Sequence, residues 1–313
     1  MAATLHAPAA QRRSGRWQTE VLLVAVLYLA YDGSRLLVGG GVDEAVRDAT
    51  RLLTVEQWLH LDPERWLNSI FSSQQWLGIP ADYAYASLHY LVTPAVLVWL
   101  WRSHRERYRK ARTWLGITTV MALSGFVLFP AAPPRLLPSP LGFTDTMAQH
   151  AGIGWWDGAA SAPKGLGSMT NEFAAMPSLH VGWALWCGLA LFLCARDRTV
   201  RVLGLLYPVL ITLVVMGTGN HYLLDCVAGA LLLAVGAVLT GPALRTTDRV
   251  RARARAALMR RRGAAARPAR PVHAVHAVNP VHAVHAVPDY PVPDHPVAAV
   301  SGTPLEERTP VLH

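Results

Sequence analysis

Lysine is nearly missing from this chain, which carries it only at Lys110 and Lys164, and charged residues of every kind make up just 16% of its 313 positions. A soluble enzyme or a nucleic-acid binder needs a charged surface, so the formal net charge of +9 does not point to nucleic acid. The positive charge is almost all arginine, and it gathers between and beyond apolar runs, where a membrane protein keeps its cytoplasmic charge. Cysteine is scarce too: Cys187, Cys194 and Cys226 all fall inside apolar runs without paired spacing. That argues against a disulfide framework or a zinc site and leaves them as small hydrophobes. No acidic or histidine cluster of metal-ligand spacing lies between the apolar runs, so neither a metal nor another cofactor is expected.

What the chain has in quantity is apolar sequence, 52% of it by residue with a positive mean hydropathy. Six runs approach the roughly 20 residues needed to cross a bilayer, at about 19–38, 82–101, 113–132, 178–195, 200–218 and 221–243. The first is too polar and too far from a cleavage signature for a signal peptide. Arg12, Arg13 and Arg16 precede the first run; Arg102, Arg105, Arg107, Arg109, Lys110 and Arg112 fill the second connection; Arg196, Arg198 and Arg201 fill the fourth. With six spans these and the basic tail share one side. The positive-inside rule then puts both termini in the cytoplasm and the connections 39–81 and 133–177 outside the plasma membrane. The expected organisation is a cytoplasmic N-terminus (1–18), a six-span catalytic membrane domain (19–243) and a basic, then low-complexity tail (244–313).

Between the spans, residues 42–61 alternate Val42, Ala45, Val46, Ala49 and Leu53 with charged positions, an amphipathic pattern suited to the outer surface and to roofing a site. The 133–177 connection is rich in proline and glycine, with Trp155 and Trp156 as interfacial anchors. Asp32 and Arg35 form a same-face pair in the first span, either a neutralising pair or a substrate contact. In the tail, HAVHAV at 273–278 and 282–287 reads as disordered repeat. Its histidines lack the acidic or cysteine companions of a metal site.

The polar motifs within this apolar frame carry the chemistry. PSLH (177–180) and GNHYLLD (219–225) each open a hydrophobic run, and histidine or aspartate is costly there unless paired or used. His221 and Asp225 sit four apart, stacking on one helix face with the carboxylate able to orient and charge-stabilise the imidazole. Pro177 suits a first helical turn, leaving the amides of Ser178, Leu179 and His180 at the positive end of a helix dipole, where a phosphate binds well. His180 projects from that turn as a proton donor, while His221 is set to attack phosphorus. Arg135, in APPRLLP, offers a planar guanidinium matched to phosphate oxygens.

The order APPR, NEFAAMPSLHVGWAL, TGNHYLLDCVAG resembles the membrane branch of the type 2 phosphatidic acid phosphatase superfamily over about residues 19–243. PSLH in place of the more usual PSGH, and HY with Asp four residues after the histidine, are similar to the inositol phosphorylceramide synthase group. The resemblance implies a six-helix bundle acting without a metal through a phosphohistidine. His221 would be the nucleophile, Asp225 its partner and His180 the general acid, with Arg135 and Ser178 binding phosphate. Two basic positions of the pattern are lost, to Val215 six before the nucleophile and to Leu128 seven before Arg135. Asn220, Lys164 or Arg35 would have to compensate.

Three functions are compatible with these residues. One is hydrolysis of a lipid phosphate or diphosphate. A second is head-group transfer to an alcohol acceptor such as inositol, and the third is non-catalytic lipid binding or transport. Retention of His180, His221 and Asp225 argues against the third.

Overall fold

In the computed structural model the described residues are 18–23, 25, 26, 29, 33, 41–157, 160–163 and 173–265. The chain divides into two compact units, Met1–Arg260 and Arg261–His313. Most of the first predicted span, with Asp32 and Arg35, lies outside the described residues, as do Lys164 and the repeated tail histidines.

The amphipathic stretch folds as predicted into α1 (Val42–Trp58), burying Ala45, Ala49, Leu52 and Leu53. Asp62–Pro63, with proline in the first turn, then starts a helix the hydropathy pattern did not show, α2 (Pro63–Ser73). Next comes α3 (Gln75–Ser103), beginning seven residues before the predicted span; α4 (Arg105–Leu128) follows after one residue. The outward connection contains two short 3-10 turns, a single-turn helix α5 (Thr146–Gln149) and a small pairing of β1 (Trp156–Asp157) with β2 (Ala160–Pro163). The bundle closes with α6 (Leu179–Cys194), α7 (Arg198–Gly217) and α8 (Leu223–Ala265).

Among the described residues, α3, α4, α7 and α8 are long and apolar enough to cross a membrane, making this a multi-pass membrane protein by composition. Helix α6 is apolar after His180 in its first turn but has 16 residues. At ~1.5 Å per residue it reaches about 24 Å, short of a ~30 Å hydrocarbon core. The class is helical as expected, with the β1–β2 pairing as the exception.

The two ends of the bundle differ sharply. At one end Arg109 grips Asp248 through two hydrogen bonds (3.1 and 2.6 Å), Arg112 and Tyr108 converge on Glu20, and Arg107 donates to the carbonyl of Leu193 (2.8 Å). The starts of α6 and α8 and the segment after α4 lie at the other. That end is a polar, loop-covered cap over an apolar bundle. Trp156 is fully enclosed in it, donating to the carbonyl of Met147 (2.8 Å), so it is a core residue and not the interfacial anchor its position implied; Trp155 alone stays exposed.

Candidate active site

Three connections converge at the capped end. After α4, Ala131 and Ala132 donate to the carbonyls of Phe173 and Ala45, stitching the Arg135 segment to the chain before α6 and to α1. Gly219, held at φ +71°, turns the chain between α7 and α8 and accepts the Arg135 backbone N–H (2.8 Å). A side chain there would be strained and would crowd Asn68. Asn68 of α2 clamps this region, bonding both backbone groups of Thr144 and the carbonyl of Gly217. On the far side, Gly229 of α8 lies so close to Ser178 that a Cβ would run into the Ser178 carbonyl oxygen. That approach sets the starts of α6 and α8 side by side.

The two motif histidines meet there. His221 Nε2 lies 3.4 Å from His180 Nδ1. His221 Nδ1 is 2.9 Å from the carbonyl oxygen of Ala175 and 3.3 Å from Asp225 Oδ2. A carbonyl only accepts, so Nδ1 carries the proton and Nε2 holds the lone pair, with His180 Nδ1 as its donor. The sequence assigned this tautomer control to Asp225; the structure makes Ala175 the nearer acceptor. Asp225 also accepts the Tyr222 N–H (3.0 Å) and is wholly buried, capping its own helix while facing His221.

His180 has partners that the sequence did not supply. Its ring stacks on Tyr85 (centroids 4.6 Å) and meets the edge of His89 (4.4 Å), both from α3. Its Nε2 is buried without a hydrogen bond. Tyr85 and His89 are four apart on one helix face, a spacing visible in the sequence but with nothing in it to say which histidine they would meet.

Arg135 donates from Nε to Asn220 Oδ1 (2.9 Å) and from Nη1 to Asp145 Oδ2 (2.9 Å), and Asn220 is fixed in turn by Thr218 Oγ1 (2.9 Å). The guanidinium is thus held at the site by a carboxamide and a carboxylate. Asp145 also accepts the Ala148 N–H at the start of α5. A buried Asp82–His150 pair (2.6 Å), joined by Thr146 Oγ1 to Asp82 (2.6 Å), anchors that loop to α3.

The expected phosphate cradle needs one correction. Ser178 is buried, its N–H donates to the Asp225 carbonyl (2.9 Å) and its Oγ accepts from Val181 (3.4 Å). It caps α6 and ties it to α8, leaving Leu179 and His180 as the amides without a bond among the described residues. Of the two lost basic positions, Leu128 is 81% exposed at the end of α4 and Val215 lies inside the apolar core.

A family model described as the PAP2 superfamily matches residues 50–239, well over half of the chain. The chain belongs to the PAP2 superfamily. Searches of curated proteins and of solved structures return no match. Members of the PAP2 superfamily are usually phosphatases or phosphotransferases, and the apolar helices fit a membrane protein of that type. The match encloses α2 to α7 and the histidine pair. It therefore covers every residue of the site just described, Arg135, Asp145, His180, His221 and Asp225 included.

Proposed function

We propose that this PAP2 superfamily protein is a membrane enzyme that takes a phosphoryl group from a lipid phosphate, a lipid diphosphate or a phospholipid head group. One observation carries the reading: His221 Nδ1–H is fixed by Ala175, so Nε2 faces His180 with its lone pair. Nε2 attacks phosphorus, the bond from phosphorus to the leaving oxygen breaks, and that oxygen takes a proton from His180, which the negative charge of the bound substrate holds as imidazolium and which is left neutral. Water or an acceptor alcohol then attacks the phosphohistidine, returning its proton to His180 as the P–N bond breaks. With 3.4 Å between the ring nitrogens, no phosphoryl group fits between them in this state, so substrate entry parts the two rings.

Arg135 and the Leu179 and His180 amides stabilise the charge growing on the phosphoryl oxygens, with Asn220 steering the guanidinium. Asp225 stabilises the imidazolium as it forms. No group of three or more His, Cys, Asp or Glu side chains arranged to hold a metal occurs among the described residues. Activity is therefore expected to survive EDTA; its abolition with rescue by magnesium contradicts the histidine mechanism.

The PSLH motif and HY with Asp225 support an inositol phosphorylceramide synthase-like reaction, with inositol or another alcohol as acceptor. Product analysis with and without inositol separates transfer from hydrolysis. A lipid-binding or transport role without turnover predicts no product in either arm.

The reading includes six spans, both termini in the cytoplasm and a site on the outer face of the plasma membrane. The convergence of Arg107, Arg109, Arg112, Glu20 and Asp248 at the end opposite the site supports that topology. Exposed Ser139 and Ser103 mark the two ends. In intact cells an impermeant thiol reagent should label Ser139→Cys and spare Ser103→Cys; the reverse pattern overturns the orientation.

A further inference from the structure

Glu56 and Glu64 are both wholly buried, although neither belongs to the motifs of the site. Glu56 lies in the last turns of α1 and Glu64 in the first turn of α2, and the two carboxyl groups interact with each other across the turn between these helices. Glu56 Oε1 accepts the Leu224 N–H at 2.6 Å. That amide belongs to the first turn of α8, where backbone donors have no partner within the helix and a negative group is favoured by the dipole. Asp225 takes the neighbouring Tyr222 N–H (3.0 Å). The segment carrying His221 is thereby clamped from within its own helix and from α1, 168 residues earlier in the chain.

The remaining oxygens require a proton. Glu56 Oε2 and both Glu64 oxygens are buried without a well-formed hydrogen bond, although the Glu64 and Leu223 amides lie toward the Glu64 carboxyl. Two facing ionised carboxylates would leave these acceptors opposed and unneutralised, at a heavy desolvation cost. A single shared proton converts the arrangement into an O–H···O bond between the two groups. Among the described residues, the titratable groups acting on the pair are Asp225, Tyr222 and Cys226 from α8 and Asp62 from the preceding turn, and none of these is a cation. Burial pushes the Glu56 carboxyl up to about 9 and raises Glu64 as well.

We propose that Glu56 and Glu64 are a proton-sharing carboxyl pair that positions the first turn of α8, and so the His221–Asp225 dyad, for attack on phosphorus. This rests on the function proposed above, and both glutamates are positioning residues that touch no reacting atom. The retained proton also keeps a second full negative charge away from Asp225.

Folded-state carboxyl pKa values raised above about 4.5 mean that the folded protein holds protons the unfolded chain has released, so stability is greatest at low pH and falls as pH rises through about 9. The test uses the full-length protein purified in detergent. Glu56→Ala is expected to lower kcat by about 100-fold through misplacement of the nucleophile, with KM changed less than about twofold. Glu56→Gln keeps an acceptor for Leu224 and should recover most of that loss. The melting temperature of the unmodified protein should drop between pH 7 and 10, and Glu64→Gln should flatten the drop.

Full kcat in Glu56→Ala overturns the proposal. If Glu56→Ala does not insert, Glu56→Gln no better than Ala, or Glu64→Gln with an unchanged pH profile of stability, overturns it equally. His221→Ala runs in parallel. Its activity would remove the mechanism on which the pair's role depends, whereas normal Glu56 variants beside an inactive His221→Ala count against the pair alone.

Discussion

His221→Ala is expected to lose turnover by about 10⁴-fold or more and to form no phosphoenzyme, because the lone pair that the Ala175 hydrogen bond directs toward the site is removed. The variant should fold. His221 lies in a cap whose position is set by Gly219, Asn68 and Ser178, and the Ser178 N–H to Asp225 carbonyl bond survives the change. Asp225→Asn tests the same unit less severely. It keeps the side chain's shape but removes the charge that the imidazolium needs, so kcat should fall with KM nearly unchanged. Turnover by His221→Ala at the normal rate would dismiss the nucleophile assignment.

His180→Ala should lose about 10²- to 10⁴-fold on a lipid phosphate, whose alkoxide leaves poorly without a proton. The same variant should still be phosphorylated by a substrate with an acidic leaving group such as nitrophenyl phosphate. In the proposed mechanism His180 supplies the proton and His221 the bond to phosphorus. Its ring is held by Tyr85 and His89, so His89→Ala should show a weaker version of the same leaving-group dependence. Equal losses on both substrates would mean that His180 acts before or beyond proton transfer.

The parts of the fold that follow local rules were legible in the sequence. Apolar periodicity gave α1, and PSLH marked the start of α6, although Pro177 precedes the helix and Ser178 caps it instead of opening the first turn. The spacing of His221 and Asp225 predicted their contact but not its geometry: His221 precedes α8, so Asp225 reaches back to it from the first turn instead of sharing a helix face. What escaped depends on residues brought together from distant parts of the chain: Glu56 reaches Leu224, Asp82 reaches His150, and Arg135 finds Asp145 across a proline-rich turn. Hydropathy obscured the start of α3, because Gln75 and Pro80 read as loop although both lie within the helix. Asp62–Pro63 was a start signal in plain view, but α2 is too polar to stand out among apolar runs. Ser178 was expected to keep a free amide since it opens a helix; only the close approach at Gly229 reveals that α8 uses that donor.

The central claim is that phosphorus becomes bonded to Nε2 of His221. The direct measurement is rapid quench of the purified enzyme with a radiolabelled lipid phosphate, followed by alkaline peptide mapping that preserves phosphoramidates. Acid-labile label on the peptide containing His221, absent from His221→Ala and present in His180→Ala with nitrophenyl phosphate, is the predicted result. Label on His180 instead, or steady turnover in His221→Ala, contradicts it.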